Sequence, residues 1–168
     1  MTSANRFAVW EDLVRYHRLV MTEMDDRLMA TFGTSLEAYD VLHQVAEHDG
    51  PITMGDLASR LLIANSSCHR LVSRLVDGGE LERIADPTDG RVVRVQLTTT
   101  GRRLYRRMAA AHGRDIDELF LAPLSGQQQS ALADAFEALL EARQARSREH
   151  ASRAERPVAE GDKSGRNR

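Results

Sequence analysis

Residues Ser66-Ser67-Cys68-His69-Arg70-Leu71-Val72-Ser73-Arg74-Leu75 sort by chemistry onto two faces of a helix. Cys68, Leu71, Val72 and Leu75 recur at i, i+3, i+4 and i+7, which makes an apolar stripe. Ser66, Ser67, His69, Arg70, Ser73 and Arg74 fall on the opposite face. Hydroxyl, imidazole and guanidinium groups at that spacing are suited to phosphate oxygens and base edges. The first turn of a helix reading double-stranded DNA enters the major groove, so Ser67, His69 and Arg70 are the candidates for base contacts. Arg70 is the strongest of them, because its guanidinium can fork onto guanine O6 and N7. Ser66, Ser73 and Arg74 are expected on phosphates, where they fix register. A solvated polar helix face is the alternative. Arg91 stands at the tip of a turn-rich stretch and could enter a minor groove, drawn by its negative potential; otherwise it is one half of a surface ion pair that stiffens a hairpin. Arg94, Arg102 and Arg103 could add backbone contacts.

Elements to position these groups can be read on both sides. Phe7, Trp10, Leu13, Val14, Val20, Met21, Met24 and Leu28 predict one long amphipathic helix over 6–31, ended by Gly33. Ser35 caps a second helix bearing Leu36, Tyr39, Val41, Leu42, Val45 and Ala46, predicted to close at Gly50-Pro51. Thr53 caps a short helix, with Asp56 three residues on as in a capping box and Leu57, Ala58 and Leu61 as its buried side. A turn over Leu62-Ile63-Ala64-Asn65 leads into the reading helix, 66–77, stopped at Gly78-Gly79. Leu81–Ile84 and Val92–Leu97 read as strands around the turn Asp86-Pro87-Thr88-Asp89-Gly90. Thr98 or Thr99 begins a long helix to about Phe120. Pro123 breaks it, and Ser125 caps a last helix from Gly126 to about Arg146. Apolar residues then thin out, so 147–168 is expected to be a disordered tail.

The fold class is therefore mainly α with a small β-wing: a winged helix-turn-helix lobe, 35–98, flanked by long helices, 6–33 and 99–146, that form a dimerisation region. Phe7, Leu13, Leu119, Phe120, Leu121, Leu124, Leu132, Phe136, Leu139 and Leu140 are too many large apolar residues to hide in so small a lobe, which favours a homodimer. Charge is segregated along the chain. Ten arginines and five acidic residues lie between Arg60 and Arg107, a local balance of +5 against −7 elsewhere and −2 overall. A basic module in an acidic scaffold suits a polyanion.

Other chemistries find little support. Met1-Thr2-Ser3-Ala4-Asn5 lacks a charged region followed by an apolar stretch, so no secretory signal is expected. No apolar run approaches the roughly 20 residues that span a bilayer. One cysteine, Cys68, excludes an intramolecular disulfide and fits a reducing cytoplasm. Its place on the apolar face makes it core, with a redox sensor as the alternative. His43 and His48 are five apart and, with Glu47, form no recognised ligand pattern, so no metal or other cofactor is expected. There is no phosphate loop, nucleophile elbow or convergent carboxylate pair, and no catalysis is expected.

The reading helix, followed by Glu82-Arg83, Asp86-Pro87-Thr88-Asp89-Gly90-Arg91, Leu97-Thr98 and Gly101, resembles the MarR-type (multiple-antibiotic-resistance) regulators over roughly residues 6–146. The pattern Asp-x-Arg then Leu-Thr-x-x-Gly carries most of the likeness. Two departures stand out: Gly90 replaces the basic residue common between the wing Asp and Arg, and Gly79-Glu80-Leu81 replaces Gly-Leu-Val. The resemblance implies a homodimeric cytoplasmic transcriptional regulator, usually a repressor, on a near-palindromic operator. It also implies that Asp89 braces the Arg91 guanidinium. An effector pocket for a small aromatic or phenolic ligand is implied above the DNA-binding lobe, with Trp10 and His17 on one wall, Tyr39 and His43 facing them, and His112 nearby; the alternative is that Trp10 and Tyr39 are core and the histidines are satisfied locally. A winged-helix protein–protein adaptor, and a redox-gated or constitutive repressor without a pocket, remain alternatives.

Overall fold

The computed structural model describes residues 4–86 and 88–154, which fall into two compact units meeting at Pro123–Leu124. The first unit opens with α1, Ala4–Phe32. It ends where Gly33 takes φ 67°, a left-handed conformation that suits glycine. Ser35 caps α2, Leu36–Ala46, by accepting from Ala38 N–H at 3.3 Å. Asp25 of α1 accepts from Leu36 N–H at 2.7 Å and so ties the start of α2 to the first helix. The predicted closure at Gly50-Pro51 is late. The helix stops at Ala46, and the chain bends before Gly50, which has φ 81°.

Ile52–Thr53 forms a strand, β1, that sequence periodicity does not reveal because two residues carry no period. Thr53 also caps α3, Met54–Leu61, accepting from Asp56 N–H at 3.1 Å. Leu57 and Ala58 are buried beneath it, with Leu61 half-buried. The turn that follows places Leu62 at φ 55°, the one described non-glycine residue in left-handed space. The reading helix is α4, Asn65–Asp77. Gly79 at φ 81° ends it, letting Glu80 N–H reach Leu75 C=O at 2.9 Å.

Strands β2, Leu81–Ala85, and β3, Val93–Leu97, form the antiparallel wing, with Leu81 opposite Leu97 and Arg83 opposite Val95. Strand β1 pairs along the other edge of β3, giving the order β1-β3-β2. Thr98 caps α5, Thr99–Ile116, and donates its hydroxyl to Gly79 C=O at 2.7 Å. Leu28, Leu42, Ile52, Leu57, Val72, Leu81, Val95 and Met108 make the centre of the core. Burial of each such side chain contributes about 1.5–3 kcal/mol.

A five-residue π-helical segment, Asp117–Leu121, replaces the last predicted turns of α5. It is held against α1. Arg27 of α1 bonds Asp115 near the end of α5 at 2.8 Å, Glu118 of the π-helical segment at 3.0 Å, and Glu23 within α1 at 2.6 Å. The Tyr16 hydroxyl donates to Leu119 C=O. Leu119, expected at a dimer interface, is half-buried against this unit's own core.

The second unit contains α6, Gly126–Ala154. Ser125 and Gln128 cap it reciprocally: Gln128 N–H donates to Ser125 Oγ at 3.4 Å, and Ser125 N–H to Gln128 Oε1 at 2.9 Å. The helix runs eight residues past Arg146, so the tail expected to be disordered from Ser147 is helical to Ala154. Arg, Glu and Ala are strong helix formers and need no apolar partner to continue a helix already begun. The remainder of the predicted tail, 155–168, lies outside the described residues. No helix among the described residues is long and apolar enough to cross a membrane.

Candidate nucleic-acid interface

Helix α4 presents its two faces as its spacing dictates. Cys68, Leu71, Val72 and Leu75 are buried, while Ser66, His69, Arg70 and Arg74 are exposed and Ser67 and Ser73 half-buried. His69, Arg70, Ser73 and Arg74 border an open concavity of about 630 Å³ along the outer face. Arg70 Nη2 donates to Ser67 Oγ at 3.2 Å, one turn back, which steers its guanidinium toward the N-terminal turn. Ser73 is not free as sequence suggested: its hydroxyl accepts from Arg83 Nη2 at 2.7 Å. Arg83 was overlooked, although Glu82-Arg83 belongs to the pattern quoted above. A strand residue beside a helix in space gives no local signal.

A charged knot fixes the base of the wing. Asp86 Oδ1 accepts from Thr88 Oγ1 at 2.6 Å, Thr88 N–H at 2.8 Å and Asp89 N–H at 3.1 Å. Its Oδ2 meets Arg94 Nε at 2.5 Å, and Arg94 Nη1 continues to Pro51 C=O at 3.1 Å. The Thr88 bonds, with Arg94, hold the Asp86 carboxyl well below the usual carboxylate range. Arg94 is therefore committed inside the fold, against the expectation of a DNA contact.

Asp89 also differs from expectation. Its carboxylate accepts from Arg91 N–H at 3.0 Å, and none of the ion pairs among the described residues joins it to the Arg91 guanidinium. Asp89 shapes the turn by an Asx-type bond and leaves the exposed Arg91 side chain to project. Cys68 is buried with Sγ 4.0 Å from Met54 C=O, and burial pushes its thiol pKa up, as for an inert core cysteine.

The five pocket candidates separate. Tyr39, His43 and His112 come together: Tyr39 lies 5.9 Å from His43 and 4.7 Å from His112, centroid to centroid. Tyr105 completes the group, 6.2 Å from Tyr39 and with its hydroxyl 3.1 Å from His43 Nδ1. Its heptad spacing to His112 was the missed signal. Burial pushes the Tyr39 hydroxyl up to about 12, raises Asp40 beside the rings and lowers His112. His112 Nδ1 is buried and has no hydrogen-bond partner among the described residues. Trp10 and His17 do not join them: both are exposed on α1, outside these ring contacts. A separate cavity of about 220 Å³ lies between α2 and α4, bordered by Glu37, Asp40, Ser67, Arg70 and Arg74 over Leu71. Among the described residues no group of three His, Cys, Asp or Glu is placed to hold a metal.

A helix-turn-helix whose second helix exposes a polar face, followed by a hairpin, defines a winged helix-turn-helix protein. Residues 32–92 match the model of the MarR family. Over 71 residues, 42% of this chain, it is 30% identical to the uncharacterised HTH-type transcriptional regulator YsmB of Bacillus subtilis (strain 168); the match spans about half of that protein, 49%. Among solved structures it is similar to Sco3205, a MarR family transcriptional regulator from Streptomyces coelicolor in complex with DNA. There the TM-score is 0.77 at 25% identity, over 84% of this chain and 89% of that one. It is also similar to the PcaV transcriptional regulator from the same organism in complex with its natural ligand, with TM-score 0.62 at 27% identity over 80% and 90% of the two chains. Over residues 32–92, and in its fold, the chain is similar to the MarR family of transcriptional regulators.

Proposed function

We propose that this protein is a cytoplasmic homodimeric DNA-binding repressor. Helix α4 lies in the major groove and the β2–β3 wing at the minor groove. The observation that carries the reading is the division of α4: a buried apolar stripe beneath an outer face bearing Ser66, Ser67, His69, Arg70 and Arg74. Ser67, His69 and Arg70 read base edges, and Ser66 and Arg74 hold phosphates. Arg91 probes the minor groove from a turn shaped by Asp89. The DNA in the complex of Sco3205 supports the choice of partner.

Dimerisation through the flanking helices is favoured by what they expose. Phe7 is 70% exposed and Leu19 61% on α1, and Leu139 and Leu140 are each 62% exposed on α6. Two-fold symmetry then sets two reading helices in successive major grooves, roughly 34–36 Å apart. A small aromatic or phenolic ligand at Tyr39, His43, Tyr105 and His112 releases the DNA by favouring another spacing of the reading heads. The ligand-bound structure of PcaV supports this part. Glu47 accepts from the Tyr105 hydroxyl at 3.3 Å, and Asp40, whose carboxyl is influenced by His112 and His43, also borders the α2–α4 cavity.

Hydroxyl-radical footprinting on the gene's own upstream DNA, with sedimentation equilibrium of the free protein, tests the reading. It predicts a dimer and two protected patches about 10–10.5 base pairs apart, centre to centre, on a near-palindrome. A monomer, or a single unpaired patch, would count against it.

A further inference from the structure

A reading helix in the major groove and a wing in the adjacent minor groove must straddle the sugar–phosphate strand that separates those grooves. On that reading, a basic side chain exposed at the junction of α4 and β2 is placed to meet phosphate. Arg83 lies there. It stands on β2 opposite Val95, is exposed, and donates from Nη2 to Ser73 Oγ on α4 at 2.7 Å. That bond joins wing to reading helix and fixes the guanidinium at their junction.

None of the ion pairs among the described residues includes Arg83. The adjacent carboxylate, Glu82, instead accepts from Gln96 Nε2 at 2.8 Å, and Arg94 on the neighbouring strand is taken by Asp86. A guanidinium has five N–H donors in a rigid fork, and Ser73 occupies one nitrogen. The other donors remain for an anion.

We propose that Arg83 is the phosphate clamp on the straddled strand, with Ser73 as its positioning partner. The inference rests on the DNA-binding reading above. It moves to Arg83 the phosphate contact that sequence had given to Ser73. A contact of this kind positions the reading head without carrying sequence information. Its loss weakens all duplexes alike and flattens the salt dependence.

The test is fluorescence anisotropy over a salt series on the upstream duplex and on an unrelated duplex. Wild type is compared with Arg83→Gln, Arg83→Lys and Ser73→Ala, each checked for folding by circular dichroism. Each neutralised phosphate contributes about 0.9 to the slope of log K against log salt. Arg83→Gln should thus lower the slope by roughly one per reading head, about two for a dimer, with equal fold-losses on both duplexes. Arg83→Lys keeps the charge and should keep the slope, as should Ser73→Ala with a milder, uniform loss. A wild-type slope in Arg83→Gln overturns the proposal, and so does a loss confined to the upstream duplex. If Arg83→Gln does not fold, a lowered slope in Arg83→Lys overturns it equally. Wild type that binds neither duplex at low salt sinks the DNA-binding reading itself, and the clamp with it.

Discussion

Gly101 is the position where one methyl group should do most damage to the architecture that carries the wing. A Cβ built there would sit 1.9 Å from Glu80 carbonyl oxygen and 2.7 Å from its carbon. Both are backbone atoms, so no side chain can swing aside. Reaching even 3.0 Å, the near limit of real contacts, requires α5 and the Glu80 backbone to part by more than ~1 Å. Three bonds lie in the way: Thr98 N–H to Glu80 C=O at 3.0 Å, and the Thr98 hydroxyl to Gly79 C=O at 2.7 Å and to Glu80 C=O at 3.2 Å.

Overpacking typically costs about 1–3 kcal/mol, loss of a cap about 1, and alanine returns about 1 through helix propensity. Gly101→Ala should therefore destabilise by about 1–3 kcal/mol. In a chain of this size that lowers Tm by roughly 2–12 °C. The assay is thermal unfolding at fixed protein concentration, since the Tm of any self-associating protein depends on it. Gly113→Ala is the control, in the same helix but with nothing within 4 Å of its Cβ; it should be neutral or stabilising by up to ~1 kcal/mol. An unchanged or raised Tm for Gly101→Ala would refute the reasoning.

Asp86→Asn keeps the side chain's size and removes its charge, so amide exchange at Thr88, Asp89 and Val92 should quicken and DNA affinity fall with no change in salt slope; unaltered exchange contradicts the account of the wing base. Burial holds the His112 imidazole below its ordinary value of about 6.5, so its contribution to stability is complete above that pH and is lost as pH falls through the depressed native value. Stability measured between about pH 7.5 and 5.5 should decline less in His112→Gln than in wild type, and an identical profile would remove His112 from the explanation. Cys68 should react with a thiol reagent only on unfolding; rapid modification of the folded protein would reopen a redox role.

Most of the helices were legible because their burial repeats with the helical period and their starts carry caps. Ser35, Thr53, Thr98 and Ser125 all do what their positions predict. The outer face of α4 was legible for the same reason. What escaped was long-range or shorter than a period. Strand β1 has two residues, and its pairing to β3 is decided by Ile52 opposite Val95 across more than forty positions. Arg94 looks like any exposed strand arginine until Asp86 and Pro51 come round to meet it. Arg83 and Ser73 are ten residues apart on different elements. Trp10 and Tyr39 both look like pocket aromatics, but only Tyr39 faces α5, where Tyr105 and His112 wait one heptad apart.

The most direct test of the central claim is fluorescence anisotropy on the gene's upstream duplex near 50 and 200 mM salt, for wild type, Arg70→Ala and Arg91→Ala. The account predicts tight wild-type binding that falls by about 10³-fold or more between those salts, as six or more phosphate contacts require. Arg70→Ala should lose discrimination against altered sites, and Arg91→Ala should weaken binding through the wing. Intact, folded protein that binds no upstream duplex even at the lower salt would contradict it.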